Sequence, residues 1–184
     1  MNLALLLAST SPQRRAILEQ LGLPFEVVVP DYDETGDDPL DHAAGKARSV
    51  DAGDRPVLGV DTIVRCDGRL LGKPGHVGEA EEMLETLSGR EHEVVSGLCL
   101  RTYAWEELHT ETTRVVFRPL TARDIASYIE TGEWQGRAGA YAIQGRGAVL
   151  VERVDGDYFN VVGLPVSLLV RLLAERFAGL YGLG

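Results

Sequence analysis

The chain has 184 residues, 45% of them hydrophobic and 25% charged, a length and composition that suit one soluble globular domain spanning 1–184, with room for two lobes. Its 28 acidic against 18 basic side chains leave a formal charge of −10, which excludes a protein built mainly to coat nucleic acid, because that affinity rests on many cations set against phosphates. No apolar stretch approaches the ~20 residues of a membrane span and no basic leader precedes the first one, so a cytoplasmic location without a membrane partner is the expectation.

The run "NLALLLA" predicts a short buried strand. Ser11 as cap, Pro12 at the first helical position and Ile17, Leu18 and Leu21 on one face predict a helix closed by Gly22. "FEVVV" follows as a second strand, and "PDYDETGDDP" as an acidic loop carrying Asp31, Asp33, Glu34, Asp37 and Asp38. Residues 40–50 predict a modest helix weakened by Gly45. "PVLGVDTIVRC" reads as a strand that turns at Asp67–Gly68 into the short "RLLG". Ala80, Met83, Leu84 and Leu87 restore helical spacing before Gly89. The alternating stretches "HEVVSGLCLRTY" and "LHTETTRVVFRPL" predict adjacent antiparallel strands. Thr121 and Asp124 predict a capping box with Asp in place of Glu. The Gly-rich "GRAGAYAIQGRG" leads to strand-like "AVLVERV", and a last helix follows Pro165. There is no internal repeat, heptad array or low-complexity linker, and the mixture predicts an α/β or α+β sheet flanked by helices.

Arg14 and Arg15 pose a question of chemistry, since both sit where the first helix begins. A helix start is electropositive, and cations there cost up to about 1 kcal/mol each at exposed sites. A strand entering a helix through small hydroxyl residues is also a place where backbone N–H groups gather an anion, and either arginine can complete a phosphate site there. The alternative is a pair of solvated surface arginines.

Asp61 interrupts an otherwise apolar strand, as a catalytic carboxylate at a cleft or as a structural or solvent-facing one. Lys73 lies in "GRLLGKP", which is not a P-loop: three residues separate the glycines where the motif needs four, and Pro74 stands where Ser or Thr would bind magnesium. A lysine beside a rigid turn still serves as a point charge for phosphate. Glu34 with Asp61 offers the oxygen ligands that magnesium or manganese prefers. Gln144, among glycines in "IQGRG", offers a two-way amide for a polar ring, or only a turn. His42, His76, His92 and His109 show no metal spacing and read as structural or surface residues. Cys66 and Cys99 suggest neither a disulfide framework nor a zinc site.

Taken together, "LASTSPQRRAILEQLGLPFEVVVPDYDE", "GVDTIVRCDGRLLGKP", "EEMLETLSGREHEVVSG" and "YIETGEWQGRAGAYAIQGRGAVLVERVDGDYFNVVGLP" resemble the Maf family of septum-formation-inhibitor-like nucleoside triphosphate pyrophosphatases, in the family's order from about Leu3 to the final helix. The resemblance implies a mixed α/β fold, a central twisted mixed sheet with helices and two lobes around a cleft, and metal-dependent hydrolysis of a nucleoside triphosphate to monophosphate and pyrophosphate. It further implies Asp61 as catalytic base and Glu34 as its partner, both holding a divalent ion, magnesium or manganese. Ser9, Arg14, Lys46 and Lys73 match phosphate-binding positions, and Gln13, Thr62 and Gln144 match positions that choose the base. The expected partner is the nucleotide rather than nucleic acid or membrane, and a homodimer is compatible with this reading. Departures from the family pattern are Gln13 where Arg is usual, Gly45 before the lysine, and "GRAG" where "DKAG" is commoner. Thr62 and Gln144 point to dTTP and UTP. A 7-methyl-GTP pyrophosphatase and a nucleotide-binding regulator of cell division or septum formation are the alternatives.

Overall fold

The computed structural model describes residues 4–182. Strand β1, Leu5–Ala8, is buried throughout; Asn2 and Leu3 of the expected strand lie outside the described residues. Helix α1, Pro12–Gln20, starts where Ser11 accepts the Arg14 N–H, and it buries Ile17 and Leu18. Strand β2, Phe25–Val28, pairs parallel to β1, so β1, α1 and β2 form a crossover unit. The acidic loop leads to helix α2, Pro39–Arg48, capped by Asp38. Strand β3, Val57–Cys66, runs parallel to β1 and pairs beyond the Asp67–Gly68 turn with β4, Arg69–Leu71.

Helix α3, Val77–Leu87, precedes the long strands β5, Glu91–Arg101, and β6, Glu106–Phe117. These two are neighbours in the sheet, and the tight connection closed by Thr102 N–H donating to the Trp105 carbonyl makes them antiparallel. Helix α4, Ala122–Ile129, carries the capping box: the Thr121 hydroxyl accepts the Asp124 N–H, and Asp124 accepts the Thr121 N–H. Strand β7, Val151–Asp155, pairs antiparallel with β6. Helix α6, Val166–Arg176, follows Pro165. The seven-stranded mixed sheet has the order β2-β1-β3-β5-β6-β7, with β4 on β3.

Two local differences from the sequence-based elements have physical causes. Ala148–Leu150, expected as strand, belong to a 3-10 turn over Gly145–Leu150: the ladder with β6 begins only at Val151, opposite Phe117 at a register shift, and just beyond it the Leu150 carbonyl accepts the Arg118 N–H while the Val149 carbonyl accepts from the Arg118 side chain. Helix α5, Tyr158–Val162, was not expected: it is too short for periodicity, and its signal is Asp157, whose carboxylate accepts the Phe159 and Asn160 N–H groups.

The chain forms two compact units. One comprises the described residues through Asp61 with Ser96–Glu111 and those from Gly163 onward; the other comprises Thr62–Val95 and Thr112–Val162. In the first, Ala43, Ala44 and Ala47 of α2 pack with Leu6, Ala8, Val57 and Cys99. This helix lies unusually close to the sheet. A side chain at Gly59 of β3 would meet the Ala43 carbonyl oxygen at 2.1 Å, and one at Gly97 of β5 would meet the Pro39 carbonyl oxygen at 2.2 Å. In the second unit Leu84, Leu87, Phe117, Tyr128, Trp134, Tyr141 and Leu150 anchor the core.

The close seat of α2 predicts that Gly59→Ala, which sets a methyl against backbone that cannot turn away, lowers stability by about 1–3 kcal/mol. Urea unfolding checks this; an unchanged midpoint would mean that α2 does not need the bare strand.

Candidate active site

Asp61 ends the apolar half of β3, where Val57, Leu58 and Val60 are buried and the Asp61 side chain keeps 13% exposure. The α2 residues His42 and Lys46 are one helical turn apart and share a face. Because α2 is pressed onto Gly59, two residues before Asp61, both reach it. Lys46 Nζ lies 2.7 Å from Asp61 Oδ1 and 2.5 Å from Glu34 Oε1, so one nearly buried ammonium joins the strand carboxylate to the acidic loop. His42 Nδ1 lies 3.4 Å from Asp61 Oδ2, and its Nε2 lies 3.2 Å from the Thr35 carbonyl. Gly45 has a local reason: the Tyr32 ring occupies the space its side chain would take, with Cε2 only 2.2 Å from that position. That ring also meets His42 edge-on at a centroid distance of 6.2 Å.

The opening question about the two arginines is resolved by direction. Arg15 points outward and pairs with Glu19 one turn on, at 2.8 Å. Arg14 turns inward and is buried, donating through Nε to the Gly163 carbonyl at 2.8 Å and through Nη1 to Ser9 Oγ at 3.2 Å. Burial draws its guanidinium below the ordinary value, while Asp61 and then Glu34 hold it up, which puts this cation in the field of both carboxylates. Ser9 is buried and also accepts the Ser11 N–H. Gln13 is half-buried, its Oε1 accepting from Ser11 Oγ at 3.1 Å. Ser9, Gln13, Arg14, Glu34, Lys46 and Asp61 therefore belong to one unit.

Thr62, Lys73 and Gln144 belong to the other. Thr62 is the half-buried residue after Asp61 on β3. Lys73 is exposed beyond β4 and next to buried Pro74. Gln144 is exposed and extended at the head of the Gly145–Leu150 turn.

Against this geometry the comparisons with known proteins are specific. The model of the Maf-like protein family matches residues 4–176. The chain belongs to the Maf family. A dTTP/UTP pyrophosphatase of Symbiobacterium thermophilum is 47% identical over 180 residues, covering 93% of each chain. One of Syntrophomonas wolfei is 43% identical over 183 residues, covering 92% of this chain and 96% of its own. A third, from Bacillus cereus, is 43% identical over 180 residues, covering 93% of this chain and 89% of its own.

Within this Maf chain, His42 is the residue that sequence reasoning left among structural or surface histidines. The legible signal was its spacing from Lys46, one turn along a helix, but only the packing of α2 aims it at Asp61. Glu34, His42 and Asp61 each offer a ligand atom, all within 4.8 Å of one another. The donor chemistry fits a divalent ion: two carboxylate oxygens suit magnesium and manganese, and an imidazole nitrogen is acceptable to manganese. In the tautomer whose Nε2–H donates to the Thr35 carbonyl, Nδ1 has its lone pair toward the carboxylates, the arrangement of metal-ligating histidines whose second nitrogen is held by a carbonyl. Among the described residues no helix is long and apolar enough to cross a membrane.

Proposed function

We propose that this chain hydrolyses dTTP and UTP to the nucleoside monophosphate and pyrophosphate, with Asp61 as general base. The observation that carries the reading is the Asp61 carboxylate held between Lys46 and His42 with buried Arg14 close by, in a chain whose relatives at 43–47% identity are dTTP/UTP pyrophosphatases. A divalent ion held by Glu34 and Asp61, with His42 in reach, supplies charge against the triphosphate and a more acidic water.

The chain's own residues account for the rest. Water attacks the α-phosphorus as its proton passes to Asp61, and the bond from that phosphorus to the bridging oxygen breaks so that pyrophosphate departs. The leaving group carries the growing negative charge, and Arg14 and Lys46 are buried cations suited to hold it where water screens little. Ser9 fixes Arg14, and exposed Lys73 offers a further point charge for phosphate. Gln13, Thr62 and Gln144 read the base: two amides and a hydroxyl complement the acceptor oxygens and ring N–H of a pyrimidine.

A panel of dTTP, UTP, CTP, GTP and 7-methyl-GTP, with magnesium or manganese and pyrophosphate detection, tests the proposal. dTTP and UTP should be the best substrates, pyrophosphate the first product, and turnover should stop with chelator. Orthophosphate as the first product, a preference for 7-methyl-GTP, or turnover without metal would each overturn a distinct part.

A further inference from the structure

Resting on that reading of Gln144, we propose that Glu133 is a positioning residue for base choice, its carboxylate holding the turn that presents Gln144. Glu133 Oε1 accepts the Arg146 N–H at 3.1 Å and Oε2 accepts the Gly147 N–H at 3.2 Å. Each oxygen thus takes one of two successive backbone donors just past Gln144. A carboxylate, being acceptor-only, meets two N–H groups without presenting a donor of its own.

The turn is shaped for this approach. Gly145 has φ +67, and a side chain there would lie 2.8 Å from Glu133 Oε1. Gly147 passes so near Ala142 that a side chain would meet its carbonyl oxygen at 1.8 Å. On the other side of Gln144, the Ala142 N–H donates to the Tyr128 hydroxyl at 2.9 Å. Glu133 is itself fixed: its N–H donates to Thr131 Oγ1 at 3.1 Å, and the next residue, buried Trp134, donates its indole N–H to the Ile129 carbonyl at 3.1 Å. Gln144 is therefore an exposed amide on backbone pinned two residues before it and two and three residues after it.

Glu133→Gln keeps the shape but turns an NH2 toward one of the two N–H groups. The test measures kcat/KM for dTTP, UTP, CTP and GTP in wild type, Glu133→Gln, Gln144→Ala and the double variant, together with inhibition by inorganic tripolyphosphate and amide exchange at Arg146 and Gly147. Glu133→Gln should reduce the preference for dTTP over CTP by about tenfold, the scale of one lost hydrogen bond. The double variant should be no less selective than Gln144→Ala, exchange at the two amides should quicken, and tripolyphosphate inhibition should not change. Gly145→Ala attacks the same contact from the turn and should give the same selective loss.

If Glu133→Gln keeps the wild-type preference while Gln144→Ala loses it, the assignment of Glu133 is overturned. An equal loss for all nucleotides with weakened tripolyphosphate inhibition overturns it as well, since that is a general structural role. Wild type without a pyrimidine preference, or Gln144→Ala with an unchanged base profile, would instead overturn the underlying reading of Gln144.

Discussion

Asp61→Asn should lower dTTP turnover by about 10²–10⁴-fold, the usual contribution of a general base, with the protein still folded. The substitution preserves size and one acceptor oxygen for Lys46, whose second partner, Glu34, is untouched. The apolar half of β3 does not depend on the charge, since Val57, Leu58 and Val60 are buried independently of it. On the proposed mechanism, what disappears is the group that would take the proton of the attacking water, and one anionic ligand that would hold a divalent ion. Nucleotide binding should persist, because Arg14 and Lys46 remain as buried cations. Pyrophosphate release measured beside equilibrium binding of a non-hydrolysable dTTP analogue checks both halves. Hydrolysis by Asp61→Asn at the wild-type rate would remove Asp61 from the mechanism, and loss of binding with no loss of maximal rate would make it a binding residue.

The second large effect lies in the other unit and concerns stability. His92 is 1% exposed, its Nε2 is 2.8 Å from the Tyr141 hydroxyl, and its ring meets Phe117 and Tyr141 edge-on at 5.0 and 5.4 Å. Nδ1 is buried with no hydrogen-bond partner among the described residues. Burial pushes the imidazole down to about 4 from its ordinary 6.5, because a charged ring would lose its water and gain no anion. The folded state thus keeps His92 neutral while the unfolded chain takes up a proton below pH 6.5. Between pH 6.5 and about 4 the unfolded state binds the extra proton, so stability falls as pH falls, by up to about 1.4 kcal/mol per pH unit and about 3 kcal/mol in all. Above pH 6.5 the contribution is complete and flat. His92→Gln retains a polar group for Tyr141 without the titration, so its urea-derived stability should lose this one-proton slope while the shared carboxylate contributions remain. Parallel slopes for the two proteins across that window would contradict the neutral buried state.

Both sites show where sequence patterns stop. Local signals placed the elements that carry chemistry: Ser11 and Pro12 open α1, Thr121 and Asp124 form the capping box, and Asp67–Gly68 turns β3 into β4. These are interactions among residues within a turn of one another, so the residue types alone decide them. The long-range motifs, in register from the first helix to the last, were enough to place the chain in its family, which the match over residues 4–176 establishes. Asp61 stood out because a carboxylate in an apolar strand needs a reason. Ala148–Leu150 misled because their apolar character fits a strand, and only the register shift where β7 meets the end of β6 shows that the ladder begins at Val151.

From the sequence by itself came the mixed α/β class, the carboxylates Glu34 and Asp61, the cation Arg14 and the turn-forming glycines around Gln144, and from the family resemblance Lys46. Tertiary structure decided which of two adjacent arginines turns inward, that His42 meets Asp61, that Lys46 joins two carboxylates from different segments, and that Glu133 holds the turn beyond Gln144. The physical reason is common to all four. Each depends on how closely separate segments approach, and that distance is set by packing, such as α2 lying on bare Gly59 and Gly97, rather than by the local preference of any residue involved.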